Sequence, residues 1–133
     1  MLFLIHLVST AIMVGAIWVI QLVHYPSFYY IDKNNYMKFQ NFHMNRISFI
    51  VIPAMTVELF SGLLIIYLEL KNDILFMISI IFLILIWIST ALLFTPIHQK
   101  LTSGYKSSLI KKLVKTNWLR TILWSFRLTL LLS

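Results

Sequence analysis

Four stretches of the chain are dominated by hydrophobic positions, and polar segments separate them. They are residues 2–23, 47–68, 74–95 and 118–132. A helix needs about 20 mostly apolar residues to cross a bilayer, because each residue rises about 1.5 Å. The first and third stretches contain no charged side chain, the second contains only Glu58, and the fourth contains Arg120 and Arg127. The pattern predicts an all-α fold, a four-helix transmembrane bundle that forms one integral membrane domain over residues 1–133.

The composition supports a membrane location. Hydrophobic residues make up 60% of the 133 residues and charged residues only 11%, which is typical of membrane proteins. The chain has no cysteine, so disulfides, iron–sulfur clusters and thiol catalysis are excluded. The first stretch lacks a basic start and a small-residue cleavage site, so we interpret it as a retained helix rather than a signal peptide.

The positions of the basic residues predict the topology. The net charge is +7, and the basic residues of the connections indicate lipid headgroups as the partner rather than nucleic acid. The first connection contains Lys33, Lys38 and Arg46, the third contains Lys100, Lys106, Lys111, Lys112 and Lys115, and the tight turn at residues 69–73 contains only Lys71. Short loops rich in Lys and Arg stay in the cytoplasm. We therefore expect connections one and three on the cytoplasmic face of the inner (plasma) membrane and both termini on the other side.

The connections have helical periods and clear stop signals. Tyr36, Phe39 and His43 recur at steps of three and four, which predicts that the second helix starts near Asn34 or Asn35 and extends beyond the bilayer. An amphipathic run at residues 109–115 leads into the fourth helix. Proline lacks a backbone N–H, so Pro26 and Pro96 are predicted to end the first and third helices. A turn is expected at residues 103–104.

Three histidines are predicted to meet near the cytoplasmic side. Each lies close to one end of a different hydrophobic stretch: His24 follows the first, His43 precedes the second and His98 follows the third. Three histidines can form a metal site, and flat aromatic residues with axial histidines can hold a haem. Alternatively, the three histidines line a water-filled entrance on the cytoplasmic side, where each forms a hydrogen bond with a neighbouring polar group. The spacing does not distinguish these cases, so a haem, a transition metal and no cofactor all stay open.

Polar residues inside the hydrophobic stretches are costly and therefore informative. On the second helix, a polar stripe is predicted to point inward; it comprises His43, Arg46, Ile50, Ala54, Glu58 and Ser61. Pro53 is expected to kink this helix. Arg127 lies at a depth comparable with Glu58, so we predict a Glu58–Arg127 pair that is either structural or functional. Arg120 either snorkels to headgroups or binds an anionic oxygen. His6 is interpreted as a histidine that bonds a neighbouring carbonyl.

The candidate site combines these residues. The candidate catalytic residues are His24, His43, His98 and Glu58, and the three histidines are also the candidate metal ligands. The candidate substrate-binding residues are Gln21, Tyr25, Asn117, Trp118, Arg120, Trp124 and Arg127. Four of the five candidates on the fourth helix share one helical face: Asn117, Arg120, Trp124 and Arg127.

The segments PIHQKL and NWLRTILWSFR resemble a large group of small four-helix membrane proteins that includes the anthrone oxygenases. The matching residues are Pro96, Leu101, Trp118, Arg120 and Arg127, with Gly15 and Pro26 also fitting the layout. The resemblance implies a four-helix membrane fold and oxygenase chemistry. His98 stands where that pattern has an asparagine, and Leu123 and Trp124 stand in the region where it has a histidine.

The stretch MNRISFIVIPAMTVELFSGLL is similar to the second helix of small membrane protoporphyrinogen oxidases that bind haem. Arg46, Pro53 and Gly62 match, and His6 would correspond to an early histidine of their first helix. The distance from His6 to Trp18 and Pro26 along the chain is longer than that pattern has, so the haem assignment is not transferred.

Two functional hypotheses follow. The first is a membrane oxidoreductase or oxygenase that acts on a flat, apolar substrate at a cavity lined by His, Arg and Glu on the cytoplasmic side. The second is a non-enzymatic transport, proton-relay or accessory subunit, in which the same buried charges line a path or fix helix contacts. Four helices are few for a complete carrier, so the second hypothesis favours a homo-oligomer or a larger partner.

Overall fold

Four helices make up the computed structural model, which describes residues 1–69 and 73–133. They are α1 (Leu2–Tyr30), α2 (Tyr36–Glu69), α3 (Ile74–Leu101) and α4 (Ser107–Leu132). No strand occurs within these described ranges. The helices α1, α2 and α3 are long and apolar enough to cross a membrane, which agrees with the prediction of a helical membrane protein.

The connections agree with the expected starts and turns. The helix α2 begins at Tyr36, so the predicted early start of the second helix is confirmed. Gly104 has φ of 133°, a conformation that favours glycine, and it forms the predicted turn before α4. The centre of the turn predicted at residues 69–73, with Lys71, lies outside the described residues. After it, the Asp73 carboxylate accepts hydrogen bonds from the backbone N–H groups of Leu75 and Phe76 and caps α3.

The prediction that Pro26 and Pro96 end their helices is wrong. A π turn precedes each proline, at Ile20–His24 in α1 and at Thr90–Phe94 in α3. Each proline then occupies the first turn of the helical segment that follows, where its missing N–H costs little. The chain therefore stays helical to Tyr30 and to Leu101, through a short 3-10 segment in α1.

The packing of the four helices explains which faces are buried. The helix α1 packs against both α2 and α4, and α3 packs against α4. Because α2 contacts mainly α1, only part of its predicted polar stripe points inward: His43, Glu58 and Ser61 are buried, whereas Arg46 and Ile50 are exposed. The inward orientation expected of Arg46 and Ile50 is therefore wrong. The outer faces of the bundle remain rich in exposed aliphatic side chains, as a lipid-facing surface requires.

Connections one and three lie at the same end of the bundle. The Lys33 ammonium nitrogen lies 5.4 Å from the centre of the Tyr105 ring, which is within the range of a cation–π contact. Lys33 belongs to the first connection and Tyr105 to the third. The two segments with most basic residues therefore share one side of the molecule, as the topology prediction requires.

Candidate functional site

His24 of α1 and His43 of α2 are bonded directly to each other. Their ring nitrogens, His24 Nε2 and His43 Nδ1, are 2.7 Å apart. One nitrogen must donate and the other accept, so the contact holds one proton between two imidazoles. The pair lies in an aromatic wall, because the Phe28 ring centre is 5.3 Å from His24 and 5.1 Å from His43. His24 is half-buried and His43 is buried.

His98 of α3 is held from two sides. The Gln40 amide nitrogen lies 3.0 Å from His98 Nδ1, and the Tyr25 hydroxyl oxygen lies 3.0 Å from His98 Nε2. The amide nitrogen can only donate, so Nδ1 accepts, and Nε2 carries the proton that it donates to Tyr25. The His98 and His43 ring centres are 5.3 Å apart. The three histidines therefore come together with Tyr25 and Gln40, and we call these five residues the histidine cluster.

The two π turns position this cluster. His24 is the last residue of the π turn in α1, and Tyr25 is the first residue after it. His98 follows the π turn of α3 by four residues. A π turn inserts an extra residue into the helical repeat and often occurs at a functional site. It brings side chains to the interior that an uninterrupted 3.6-residue period would not place there.

The arrangement of the histidine nitrogens bears on the predicted metal or haem. Two imidazoles bond each other, and both nitrogens of the third are used by Tyr25 and Gln40. Across the described part of the chain, no group of three or more His, Cys, Asp or Glu residues is arranged to hold a metal ion. The present arrangement of these nitrogens does not fit a bound metal or haem, and the metal-ligand role of His24, His43 and His98 stays a prediction.

Arg120 lies beside the histidine cluster and is buried, with 4% of its surface exposed. Its guanidinium carbon is 4.4 Å from the Phe94 ring centre and 5.2 Å from the Trp124 ring centre, and the guanidinium also interacts with the Tyr25 hydroxyl. Snorkelling to headgroups is therefore wrong for Arg120. Within the described ranges its Nε has no hydrogen-bond partner, so the residue keeps a donor available for a ligand oxygen.

A second group of polar residues lies deeper in the bundle. The Arg127 guanidinium donates to the Glu58 carboxylate, and both side chains are fully buried, which confirms the predicted pair. The Trp124 indole donates to the other Glu58 oxygen at 3.2 Å. Arg127 also donates to the Ser79 carbonyl at 3.0 Å and to His6 Nε2 at 3.2 Å. All four helices therefore contribute to one satisfied buried-charge cluster.

His6 completes the buried-charge cluster, although we expected it to bond only a neighbouring carbonyl. Its Nε2 accepts from Arg127, so its Nδ1 carries the proton and donates to Ser61 Oγ at 2.9 Å. Ser61 in turn donates to the Val57 carbonyl at 2.6 Å. Gly62 allows this approach, because an added Cβ would lie 3.0 Å from His6 Cε1. The signal in the sequence was a lone histidine among aliphatic residues.

The remaining predicted residues divide into two groups. Asn117 of α4 donates to the Gln21 side chain of α1 at 2.9 Å, and Gln21 donates to the Val114 carbonyl at 3.2 Å. Gln21 and Asn117 are therefore bonded to each other, one helical turn before Arg120 on α4. Trp118 lies on the outer face, 41% exposed, and packs edge-on against Trp18 with ring centres 5.8 Å apart. The structure does not bring Trp118 together with the other candidates. Gln40 was missed because its position lies in a segment that we assigned to the edge of the membrane.

The histidine pair opens onto the outer surface of the bundle. A groove of about 160 Å³ is lined by the pair and by neighbouring α2 residues, including Phe39, Phe42, Arg46 and Ile47. Arg46 lies over the Phe42 ring, with its guanidinium carbon 5.5 Å from the ring centre. A ligand in this groove would meet an imidazole pair, an aromatic wall and one cation. We call it the head groove.

The site combines side chains of all four helices, with proton-carrying groups at its centre. It offers proton acceptance by paired imidazoles and stabilisation of a negative oxygen by arginine. Its parts are far apart in the sequence, so no short motif identifies them. Comparison of the chain with protein-family models, curated proteins and solved structures finds no match.

Proposed function

We propose that the protein is an inner-membrane oxidoreductase that oxidises a flat phenolic substrate of the hydroquinone type, drawn from the bilayer. The observation that carries the proposal is the His24–His43 pair, bonded at 2.7 Å and lining the head groove. A lipid-soluble substrate can reach this pair from the side without entering the bundle. Arg46 in the same groove would stabilise the oxygen that becomes negative.

The chemistry needs a base that is neutral near physiological pH. Imidazole has an ordinary pKa of about 6.5, and positioned general bases contribute roughly 10²–10⁴-fold to rates. A substrate O–H bond breaks and its proton passes to the histidine pair, which makes the substrate electron-rich. Dioxygen then takes two electrons and the remaining O–H proton from the substrate and the second proton from the histidine pair, so it becomes hydrogen peroxide, the substrate becomes the quinone and the histidine pair returns to its neutral state. The resemblance to the group that includes anthrone oxygenases is part of this proposal and motivates dioxygen as the oxidant.

The size of the head groove selects among flat substrates. Pockets for drug-sized ligands usually have about 300–1,000 Å³, whereas the head groove has about 160 Å³. A single substituted ring fits that space better than a fused polyketide or a porphyrin. Among the flat, apolar substrate classes, we therefore propose a hydroquinone, whose head is a single ring.

The topology belongs to the same proposal. We propose that α4 also crosses the membrane, with connections one and three in the cytoplasm and both termini outside. The arginine deepest in α4, Arg127, is paired with Glu58, which lowers the cost of placing it in the bilayer. Its partner helix α2 is one of the three spans, and the pair lies inside the bundle.

An oxygen-uptake assay tests the proposed reaction. The protein in nanodiscs would be given a benzoquinol that carries a decyl chain, and oxygen uptake and peroxide would be measured together. We expect His24→Gln and His43→Gln each to lower the rate at least tenfold, because each removes one half of the proton-sharing pair. Asn41→Ala, at an exposed polar position of α2, is the matched control and should keep the wild-type rate. Folded histidine variants with unchanged rates would refute the proposal.

A second candidate function is proton conduction, and one observation favours it. Buried contacts lead from the Tyr25 hydroxyl to the Arg120 guanidinium and from there, by a cation–π contact of 5.2 Å, to the Trp124 ring, whose indole N–H donates to Glu58. From Glu58 they continue through Arg127 and His6 to Ser61. Chains of ionisable residues inside a membrane often mark proton paths. Proteoliposomes with a pH-sensitive dye test this function: it requires a proton flux that Glu58→Gln abolishes, and no flux in the wild type would reject it.

A further inference from the structure

A second groove lies on the same face of the bundle, between α1 and α2. It has a volume of about 530 Å³, and its lining includes Val8 and Ile12 from α1 and Pro53, Ala54 and Val57 from α2. The lining side chains are aliphatic except for Ser9, whose hydroxyl is used in a bond to the His6 carbonyl at 2.9 Å. The groove therefore offers contact area to an apolar chain and no free hydroxyl. We call it the tail groove.

The tail groove and the head groove adjoin each other on α2. Ile50 lines both of them. Along α2 the combined surface extends from Val57 to His43, which is roughly 20 Å at about 1.5 Å per residue. One end is entirely apolar, and the other carries the histidine pair and Arg46. The polarity of the combined surface thus matches that of one amphiphile with a small polar head.

The histidine pair and Arg46 at the head end distinguish the combined α1–α2 surface from another apolar groove of the protein. A groove of about 340 Å³ between α3 and α4 is lined by Leu85, Ile88, Leu92 and their neighbours. Its lining contains no titratable residue. Any lipid chain can cover either surface, but only the α1–α2 surface leads from an aliphatic channel to a proton acceptor and a cation. The occupant of the α1–α2 surface is therefore selected by its head as well as its tail.

We propose that the tail groove binds the long isoprenoid or alkyl chain of the substrate whose phenolic head lies at the histidine pair. This inference rests on the proposed function, because the hydroquinone head of the substrate is part of that proposal. The inference adds that the substrate is an amphiphile. It also assigns the recognition of the substrate's chain to α1 and to the part of α2 around Pro53. Ala54 and Ser9 are small side chains in this lining, and they leave the space that the chain fills.

Photolabelling tests the tail site without any turnover. The probe is a benzoquinone with a decyl chain that ends in a diazirine, and labelled residues are mapped by mass spectrometry. We expect labels on Val8, Ile12, Ala54 or Val57 that disappear with excess unlabelled decyl benzoquinol but persist with excess phosphatidylcholine. Equal labelling of Leu92 and its neighbours, or labels that phosphatidylcholine removes, would overturn the inference and indicate ordinary lipid contact.

A kinetic measurement gives the complementary evidence. Ala54→Trp should lower at least tenfold the ratio of kcat/KM for the decyl benzoquinol to that for the same benzoquinol without the chain. Leu92→Trp, in the α3–α4 groove, is the matched control and should leave the ratio unchanged. Val8→Phe provides a second, smaller obstruction if Ala54→Trp does not fold. An unchanged ratio in a folded variant would contradict the tail site.

The two proposals fail in different ways. Competed labelling of the tail groove without oxygen uptake would support the amphiphile site and refute the oxidase. Oxygen uptake that is equal for both benzoquinols, without competed labelling, would support the oxidase and refute the tail site. Each result is informative because labelling depends only on binding and oxygen uptake depends on the reaction.

Discussion

Arg127 of α4 donates to the carboxylate of Glu58 of α2 in the interior of the bundle, where both side chains are fully buried. The pair joins two helices that are distant in sequence, and it also bonds Trp124, His6 and the Ser79 carbonyl. A buried charge without its partner is far more costly than a satisfied pair. The stability of the fold should therefore depend on the pair as a unit.

Removing one partner of this pair should destabilise the protein more than removing both. Glu58→Met or Arg127→Met leaves a buried charge and should cost about 3–5 kcal/mol. The double variant Glu58→Met with Arg127→Met should cost less than the sum of the single variants. Chemical unfolding in mild detergent measures these differences. Thr129→Ala, at an exposed position of α4, is the control, and strictly additive single costs would argue against a coupled pair.

Two glycines give a matched test of the close approach between α2 and His6. A Cβ on Gly62 would lie 2.7 Å from Ile80 Cδ1 and 3.0 Å from His6 Cε1, whereas a Cβ on Gly15 meets nothing within 4 Å. His6 is fixed by Ser61 and Arg127, so it cannot move without loss of hydrogen bonds. Gly62→Ala should therefore lower stability by about 1–3 kcal/mol, and Gly15→Ala should leave it unchanged or raise it. Equal melting temperatures for the two variants would show that the contact is not close.

The hydrogen-bond partners predict opposite tautomers for two histidines. His98 accepts at Nδ1 from Gln40 and therefore carries its proton on Nε2, whereas His6 accepts at Nε2 from Arg127 and carries its proton on Nδ1. Nitrogen NMR of histidine-labelled protein distinguishes the two forms. Gln40→Glu should move the His98 proton to Nδ1, since a carboxylate only accepts, and should leave His6 unchanged. The same tautomer at both residues would contradict these assignments.

Reporter fusions test the proposed orientation. Fusions that end at Lys38 and at Lys106 should both read cytoplasmic, because these two residues belong to the connections rich in lysine and arginine. A fusion that follows Ser133 should read non-cytoplasmic, since α4 is proposed to return the chain across the membrane. Non-cytoplasmic readings at Lys38 and Lys106 would reverse the orientation, and a cytoplasmic reading at Ser133 would show that α4 does not cross.

Much of the fold could be predicted because the bilayer imposes a simple length and polarity requirement on helices. The apolar stretches and the Glu58–Arg127 pair followed from this requirement, and the early start of α2 followed from the helical period of Tyr36, Phe39 and His43. The helix ends at Pro26 and Pro96 were wrong because the proline rule assumes an uninterrupted α-helix. The π turns change the hydrogen-bond pattern just before each proline, and no local sequence rule used above identifies them.

The sequence by itself determined that the chain is a helical membrane protein, and it determined which helices carry charges. Only the tertiary structure decided that His24 bonds His43, that Gln40 and Tyr25 hold His98, and that Arg46 is exposed while Arg120 is buried. The physical reason is that burial of an apolar stretch depends on its own residues. A hydrogen bond between helices instead depends on the rotation of both partners, which the packing of the whole bundle sets.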